Sequence, residues 1–307
     1  MEYGTSHFTS ESWLMRLFKR LGFEGIAWSL RRLHCPVAKE ALVLEVGSGG
    51  NPYARSNLLL DAYETSGERY WVPLVMDRPT VLGLVENLPF RDKAFDFVIA
   101  SHVLEHSSDP ARFLEELQRV AKAGYIEVPD AFYERINPHR FHKLEITLRN
   151  ETLLIRKKVA WVSDPDLTEL YEHRLKPLLT TARFPLTGRA IPRHPFAFHV
   201  RYYWQDKIQF VVLNPEDDAS WEYQEPAQAK TEAGSGPTLK NRVLNGLRTM
   251  LSQHGRNKNL DISHLLRCPA CHAVDLICSA ELILCPSCHH EYPIHNHMPR
   301  LFAPAET

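Results

Sequence analysis

The sequence predicts an α/β protein: a doubly wound, mostly parallel sheet with an inserted lid region, followed by a small cysteine-held ribbon. Three observations predict this. Short apolar runs rich in β-branched residues alternate with helical segments over roughly the first 130 residues. One of these runs, "ALVLEVGSGGNPY", breaks abruptly into glycine and polar residues, as a buried strand does when it turns at the carboxyl edge of such a sheet. Finally, four of the six cysteines fall in the last 40 residues as two Cys-x-x-Cys pairs.

Each element follows from its local pattern. Residues 11–33 place Trp13, Leu14, Leu17, Phe18 and Leu21 at helical spacing, with Arg16, Lys19 and Arg20 on the other face. Gly22 and Gly25 break or bend that helix, and residues 1–40 are read as a helical cap. Strands are expected at residues 41–47, Leu58–Asp61, Thr80–Val85, Phe95–Ala100 and Tyr125–Val128, the last ended by Pro129. Between the last two, residues 109–122 form an amphipathic helix, with Asp109 as N-cap, Pro110 in the first turn and Gly124 at the stop. Residues 130–195 are rich in histidine, arginine, proline and aromatics, and are read as a lid inserted over the carboxyl edge. Within it, Leu144–Leu148 and Thr152–Ile155 pair as a hairpin across Arg149–Glu151, and residues 166–176 look helical. Phe198–Trp204 and Lys207–Leu213 then flank Gln205-Asp206, the pattern of a closing antiparallel hairpin. These segments make one domain of residues 41–214.

Residues 215–260 are a linker by composition, acidic and then rich in alanine, glycine and proline. It ends in a basic amphipathic helix with an apolar stripe of Val243, Leu244, Leu247, Met250 and Leu251, suited to docking on a domain. Residues 261–307 form the last unit. There Cys268, Cys271, Cys285 and Cys288 make two knuckles separated by 13 residues, a spacing that brings four thiolates to one tetrahedral Zn²⁺. A redox pair or iron are the lesser alternatives, and His289 or His290 could replace a ligand. Forty residues bury little core, so the metal would supply folding free energy.

Composition bounds the function. The 307 residues suggest about two domains, and 44% hydrophobic with 24% charged residues fits a globular protein. A formal net charge of −1 advertises no basic surface for nucleic acid, although a local basic patch is compatible with it. No secretory signal is visible in the first 30 residues and no apolar run is long enough to cross a bilayer, so a cytoplasmic location is the default expectation.

Two longer stretches carry a resemblance. "LEVGSG" (44–49) resembles the first motif of class I S-adenosylmethionine-dependent methyltransferases of the type 11-like group, whose fold is Rossmann-like. "ENLPFRDKAFDFVIASHVLEHSSDPARFLEELQRVAKAGYIEVP" (86–129) is similar to the later motifs of that family. The resemblance covers about residues 40–130 and implies S-adenosylmethionine as cofactor. It implies that Glu45, Gly47 and Gly49 line the methionine end, and that Asp61 binds the ribose hydroxyls. It also implies that Leu88 covers the adenine, and that Ser101 and His102 face the sulfonium. Two positions depart from the family: Asn51 stands where a third glycine is frequent, and Leu84 where an acid contacts adenine, a task left to Glu86 or the backbone near Asn87. The tail "LLRCPACHAVDLICSAELILCPSCHHEYPIHNHMPRLF" resembles the small zinc-ribbon proteins that bind and activate tRNA, ribosomal and release-factor methyltransferases. That implies an intramolecular contact in which the ribbon stabilises or activates the catalytic domain.

Methyl transfer to a hydroxyl also needs a base, and His102, His106, Asp130, His139 and His142 are the candidates, with His106, His102 and His142 foremost. The strand ending Val-Pro-Asp lacks the Asn-Pro-Pro-Tyr type of sequence that holds a planar amide, which argues for a small-molecule or glycan-type acceptor. Three further readings stay open. One is an RNA or translation-factor methyltransferase, after the ribbon's relatives. Another is a non-catalytic module working through protein contacts. The third is peripheral membrane contact through the two basic helices, reaching a lipid-linked acceptor.

Overall fold

A computed structural model describes residues 8–69, 71–162, 164–175, 194–223, 246 and 250–304. Much of the expected linker and part of the expected lid lie outside the described residues. Two short helices open the chain, α1 (Trp13–Arg20) and α2 (Glu24–Leu30), with the break at Gly22, whose φ is 77°. Ser12 caps α1 by accepting from the Met15 amide at 3.2 Å.

The main sheet has six strands: β1 (Val43–Val46), β2 (Leu58–Asp61), β3 (Thr80–Leu82), β4 (Phe97–Ser101), β5 (Ala123–Pro129) and β8 (His199–Gln205). Their spatial order is β3-β2-β1-β4-β5-β8, parallel except for β8, which runs antiparallel to β5. This is a Rossmann-like doubly wound sheet, with its topological switch point between β1 and β4. Strands β1 to β5 are buried throughout, which explains why they read as continuous apolar runs rather than as alternations. The crossover helix α3 (Pro110–Val120) is capped by Asp109 and buries Phe113, Leu114, Leu117 and Val120. It ends at Ala121, not at Gly124. Gly124 lies inside β5, where a Cβ would meet the Val98 carbonyl and the Trp204 indole at 2.7 Å. Its role is close approach between strands, not helix termination.

The inserted region begins with α4 (Ala131–Ile136) and continues into the hairpin β6 (Leu144–Arg149) and β7 (Thr152–Lys157). Arg149 pairs with Thr152, so the turn is the two residues Asn150 and Glu151, with φ of 46° and 63°. Two left-handed residues give the primed turn that matches strand twist. After the short helix α5 (Pro165–Glu169) the chain passes outside the described residues and returns before β8.

The expected closing hairpin is not formed. β8 joins β5 in the main sheet, whereas β9 (Phe210–Val212) pairs parallel with β7 in a separate three-stranded sheet, β6-β7-β9. Asp206, with φ of 60°, turns the chain from one sheet into the other. Alternation identified two strands but could not name their partners.

The carboxyl-terminal unit is a four-stranded antiparallel ribbon of β10 (Ile277–Cys278), β11 (Leu282–Leu284), β12 (Glu291–His295) and β13 (Met298–Pro299). Its Leu265, Leu266, Ile283, Tyr292 and Leu301 are part of the same buried cluster as Leu44, Leu60 and Val98 of the main sheet. No helix among the described residues is long and apolar enough to cross a membrane.

Candidate active site and metal centre

β1 ends at Val46, and Gly47 turns the chain with φ of 60°. A Cβ on Gly47 would lie 2.2 Å from a methyl of Val103, so the turn needs glycine both for its angle and for its space. Asp61 closes β2 beside it. One Asp61 oxygen accepts from the Gly49 amide at 3.0 Å; the other accepts from the Tyr63 amide at 3.2 Å and from Arg69 Nη1 at 2.7 Å. Around them opens a cleft of about 460 Å³ at the carboxyl ends of β1 to β4, lined among others by Gly47, Asp61, Arg69, Leu84, Glu86, His102, His106 and Lys143. That volume is in the range of small-molecule sites.

The cleft thus gathers Gly47, Asp61, Glu86, His102 and His106. Others of the expected set stand elsewhere among the described residues. Glu45 is 1% exposed and accepts from the Tyr53 amide at 2.8 Å and Ser56 Oγ at 2.5 Å, so it ties down the loop after β1. Burial raises its pKa, and the charge of Arg32 works against that. Gly49 serves Asp61 through its amide. Leu88 is fully buried, its amide donating to Glu116 at 2.8 Å, and the exposed Leu84 lines the cleft. Ser101 donates to Glu127 at 3.0 Å. His142 is held by Glu134 at 2.7 Å, its ring 4.8 Å from that of His106.

Sequence reasoning missed the buried acids that organise the site. Glu127, in mid-β5, is fully buried and receives Arg31 at 2.7 and 2.8 Å, Tyr125 Oη at 2.5 Å and Ser101. Burial would raise its pKa, but hydrogen bonding from His102 and the Arg31 charge outweigh it and hold the carboxyl well below the usual range. His102 bridges Glu127 and Glu105, 3.3 Å from each, with a left-handed φ of 59°. Burial favours its neutral form, yet the two carboxylates prevail and lift it to about 9. At neutral pH His102 is therefore an imidazolium and offers no lone pair. His106 goes the other way, down to about 3, through burial and the neighbouring His142. The one visible signal for Glu127 was an acid inside the apolar run "YIEVP".

In the ribbon the four predicted cysteines converge, with Cys268 and Cys288 sulfurs 3.7 Å apart and Cys271 and Cys285 sulfurs 3.5 Å apart. Four sulfurs around one zinc at about 2.3 Å stand about 3.8 Å from one another, so the cluster fits a tetrahedral ion. The knuckles are alike: His272 and His289, each following the second cysteine, have φ of 66° and 59° and donate their amides to Cys268 and Cys285 carbonyls. The sulfur cluster does not include a histidine ring.

The ribbon is bound to the sheet domain by backbone and side chain. Leu301 donates to the Leu82 carbonyl at 2.8 Å, Arg267 to Pro89 at 3.0 Å, and Arg91 to Leu265 at 2.9 Å. Asn87 Nδ2 donates to the Pro269 carbonyl at 2.9 Å, and Arg91 Nη2 to Val274 at 2.6 Å. These contacts grip residues 82–91, the segment that includes the cleft-lining Leu84, Val85 and Glu86.

Residues 44–126 match a family model described as a methyltransferase domain. An uncharacterized protein of Methanocaldococcus jannaschii, MJ1123, is 31% identical over 81 residues, which is 26% of this chain. The chain spans 40% of the length of that curated relative. Among solved structures, a chain of the complex between the Haloferax volcanii Trm112 methyltransferase activator and a candidate methyltransferase is 18% identical, with a TM-score of 0.31, covering 44% of this chain and 74% of that one. A SAM-dependent methyltransferase from Thermotoga maritima is 23% identical, with a TM-score of 0.28, covering 38% of this chain and 57% of its own. The family match, on a sheet of this strand order, supports a methyltransferase domain in that segment.

Proposed function

We propose that the chain is an S-adenosylmethionine-dependent methyltransferase acting on a small-molecule or glycan-type acceptor, with a zinc ribbon working in cis. The observation that carries this reading is the meeting of the Gly47 turn and the Asp61 carboxylate in one cleft at the switch point. Asp61 would accept both ribose hydroxyls once Arg69 yields the oxygen it holds. Asp61, Glu68, Glu86 and Asp109 outnumber Arg69, Lys143 and the charged His102 around the cleft by one, an acid excess suited to a cationic sulfonium.

In the transfer, an acceptor lone pair attacks the methyl carbon and the carbon–sulfur bond breaks. S-adenosylhomocysteine leaves, and the acceptor gives up a proton. The protein's main contribution is alignment. Of the three histidines proposed for proton removal, His106 lines the cleft and is neutral, while His102 is a fixed cation whose work is to order Glu105 and Glu127. The acceptor class rests on the near-zero net charge and on the Val-Pro-Asp end of β5.

Cys268, Cys271, Cys285 and Cys288 would hold Zn²⁺, which crosslinks the ribbon and supplies folding free energy when bound. Through Pro269 and Leu301 the ribbon props the 82–91 segment, so ribbon order and cleft shape are coupled.

Calorimetry with S-adenosylmethionine and S-adenosylhomocysteine tests the reading. One binding event per chain is expected, weakened at least tenfold by Asp61→Ala; indifference of the unaltered protein to both ligands would overturn it. Arg69→Gln should tighten binding, because the ribose then has no charged competitor for the Asp61 oxygen that Arg69 holds.

A further inference from the structure

We infer that Glu105, His106 and His142 form a second metal site, for a divalent transition ion such as zinc, cobalt or iron(II), at the wall of the cleft and separate from the four cysteines. One ligand atom from each of the three side chains lies within 4.8 Å of the others. Two segments bring them together. Glu105 and His106 sit on the 3₁₀ turn Leu104–His106 that follows β4, and His142 precedes β6; the Lys143 amide joins the segments by donating to the Glu105 carbonyl at 2.7 Å.

The polar accounting favours an ion. Glu105 is 2% exposed; its Oε1 faces the charged His102 Nδ1 at 3.3 Å, and its Oε2 is buried with no hydrogen-bond partner. His106 Nδ1 is also buried without a hydrogen-bond partner, with Glu68 at 3.7 Å. Buried polar atoms left unmatched cost stability, and a metal would take up the free Glu105 oxygen and the His106 ring nitrogen at once. His142 is already oriented. Its Nδ1 lies 2.7 Å from Glu134, a 4%-exposed carboxylate that Lys158 also holds at 2.8 Å. A carboxylate on Nδ1 keeps the proton there and frees Nε2 as a ligand, the arrangement that supports metal-bound histidines.

Two imidazoles and one carboxylate suit zinc, iron or cobalt rather than calcium or magnesium. Three protein ligands leave coordination positions open, as sites that handle substrates do. Because His106 lines the same cleft as Gly47 and Asp61, an acceptor oxygen could take an open position and lose its proton to solvent water more easily there. That role rests on the methyl-transfer reading, whereas binding of the ion does not. It also makes His106 a ligand instead of a base.

The test uses the full chain with its cysteines first loaded with one equivalent of zinc. Titration with cobalt(II) should add one further equivalent per chain, with visible d–d bands and no thiolate charge-transfer band. His106→Gln and His142→Gln should each remove that equivalent and keep the ribbon zinc. Glu134→Gln, which only withdraws support from His142, should weaken cobalt affinity roughly 10- to 100-fold. A chain that takes up no second metal, or cobalt uptake unchanged in both histidine variants, would overturn the site. The unaltered chain's stoichiometry decides the matter even if a histidine variant fails to fold. S-adenosylhomocysteine calorimetry on the same samples separates the two proposals: cobalt bound without the nucleoside sinks only the methyl-transfer reading, and the reverse sinks only the ion.

Discussion

Gly47 occupies space that a methyl group cannot share with Val103, in a backbone conformation that side chains resist. Gly47→Ala should therefore cost about 1–3 kcal/mol of stability. It should also weaken S-adenosylhomocysteine at least tenfold, because relief of the clash must move the turn or Val103. Thermal melts and calorimetry on one preparation check both. Glu127 makes a pH prediction. Its folded pKa is depressed, so its contribution is present above its unfolded value of 4.5 and is lost as pH falls through the folded pKa. Glu127→Gln leaves Arg31 buried without its charge partner and should cost about 3–5 kcal/mol at neutral pH. The gap between variant and unaltered protein, followed by denaturant melts, should hold constant from pH 7 to about 5 and narrow below about 4.5.

At the scale of elements, the hairpin β6–β7 turns through two left-handed residues, neither of them glycine. Glu151→Gly should stabilise the protein by about 0.5–1 kcal/mol, since glycine takes that conformation without the Cβ penalty. Denaturant midpoints would show it. This hairpin was legible because both strands and their turn lie within fourteen residues of sequence. Strands β1 to β5 were legible for a related reason: full burial writes itself as an apolar run. Partnership over distance was not. The alternation in β8 and β9 said strand, but not which sheet, and Gly124 looked like a helix stop because its neighbour Trp204 is remote in sequence. The candidate site divides the same way. Gly47 and Asp61 announce themselves by lying at strand ends. Glu127 becomes intelligible only beside Arg31, 96 positions away, and Glu105 only beside His142.

For the molecule as a whole, the ribbon decides more than its size suggests. Replacing one buried sulfur by Cys285→Ser should abolish the zinc binding proposed for the ribbon and lower the melting temperature. Because residues 82–91 lean on Pro269 and Leu301, it should also loosen the cleft. Zinc content by mass spectrometry, melting temperature and ligand affinity should fall together; full ligand affinity in a zinc-free chain would show that the ribbon is only appended. The apolar cluster that runs without interruption from Leu44 through Leu266 to Tyr292 has one more consequence. Amides of β11 and β12 should exchange with deuterium on the same timescale as those of β1 and β4, and chelating the zinc proposed for the ribbon should accelerate both sets, the outcome expected of one cooperative unit.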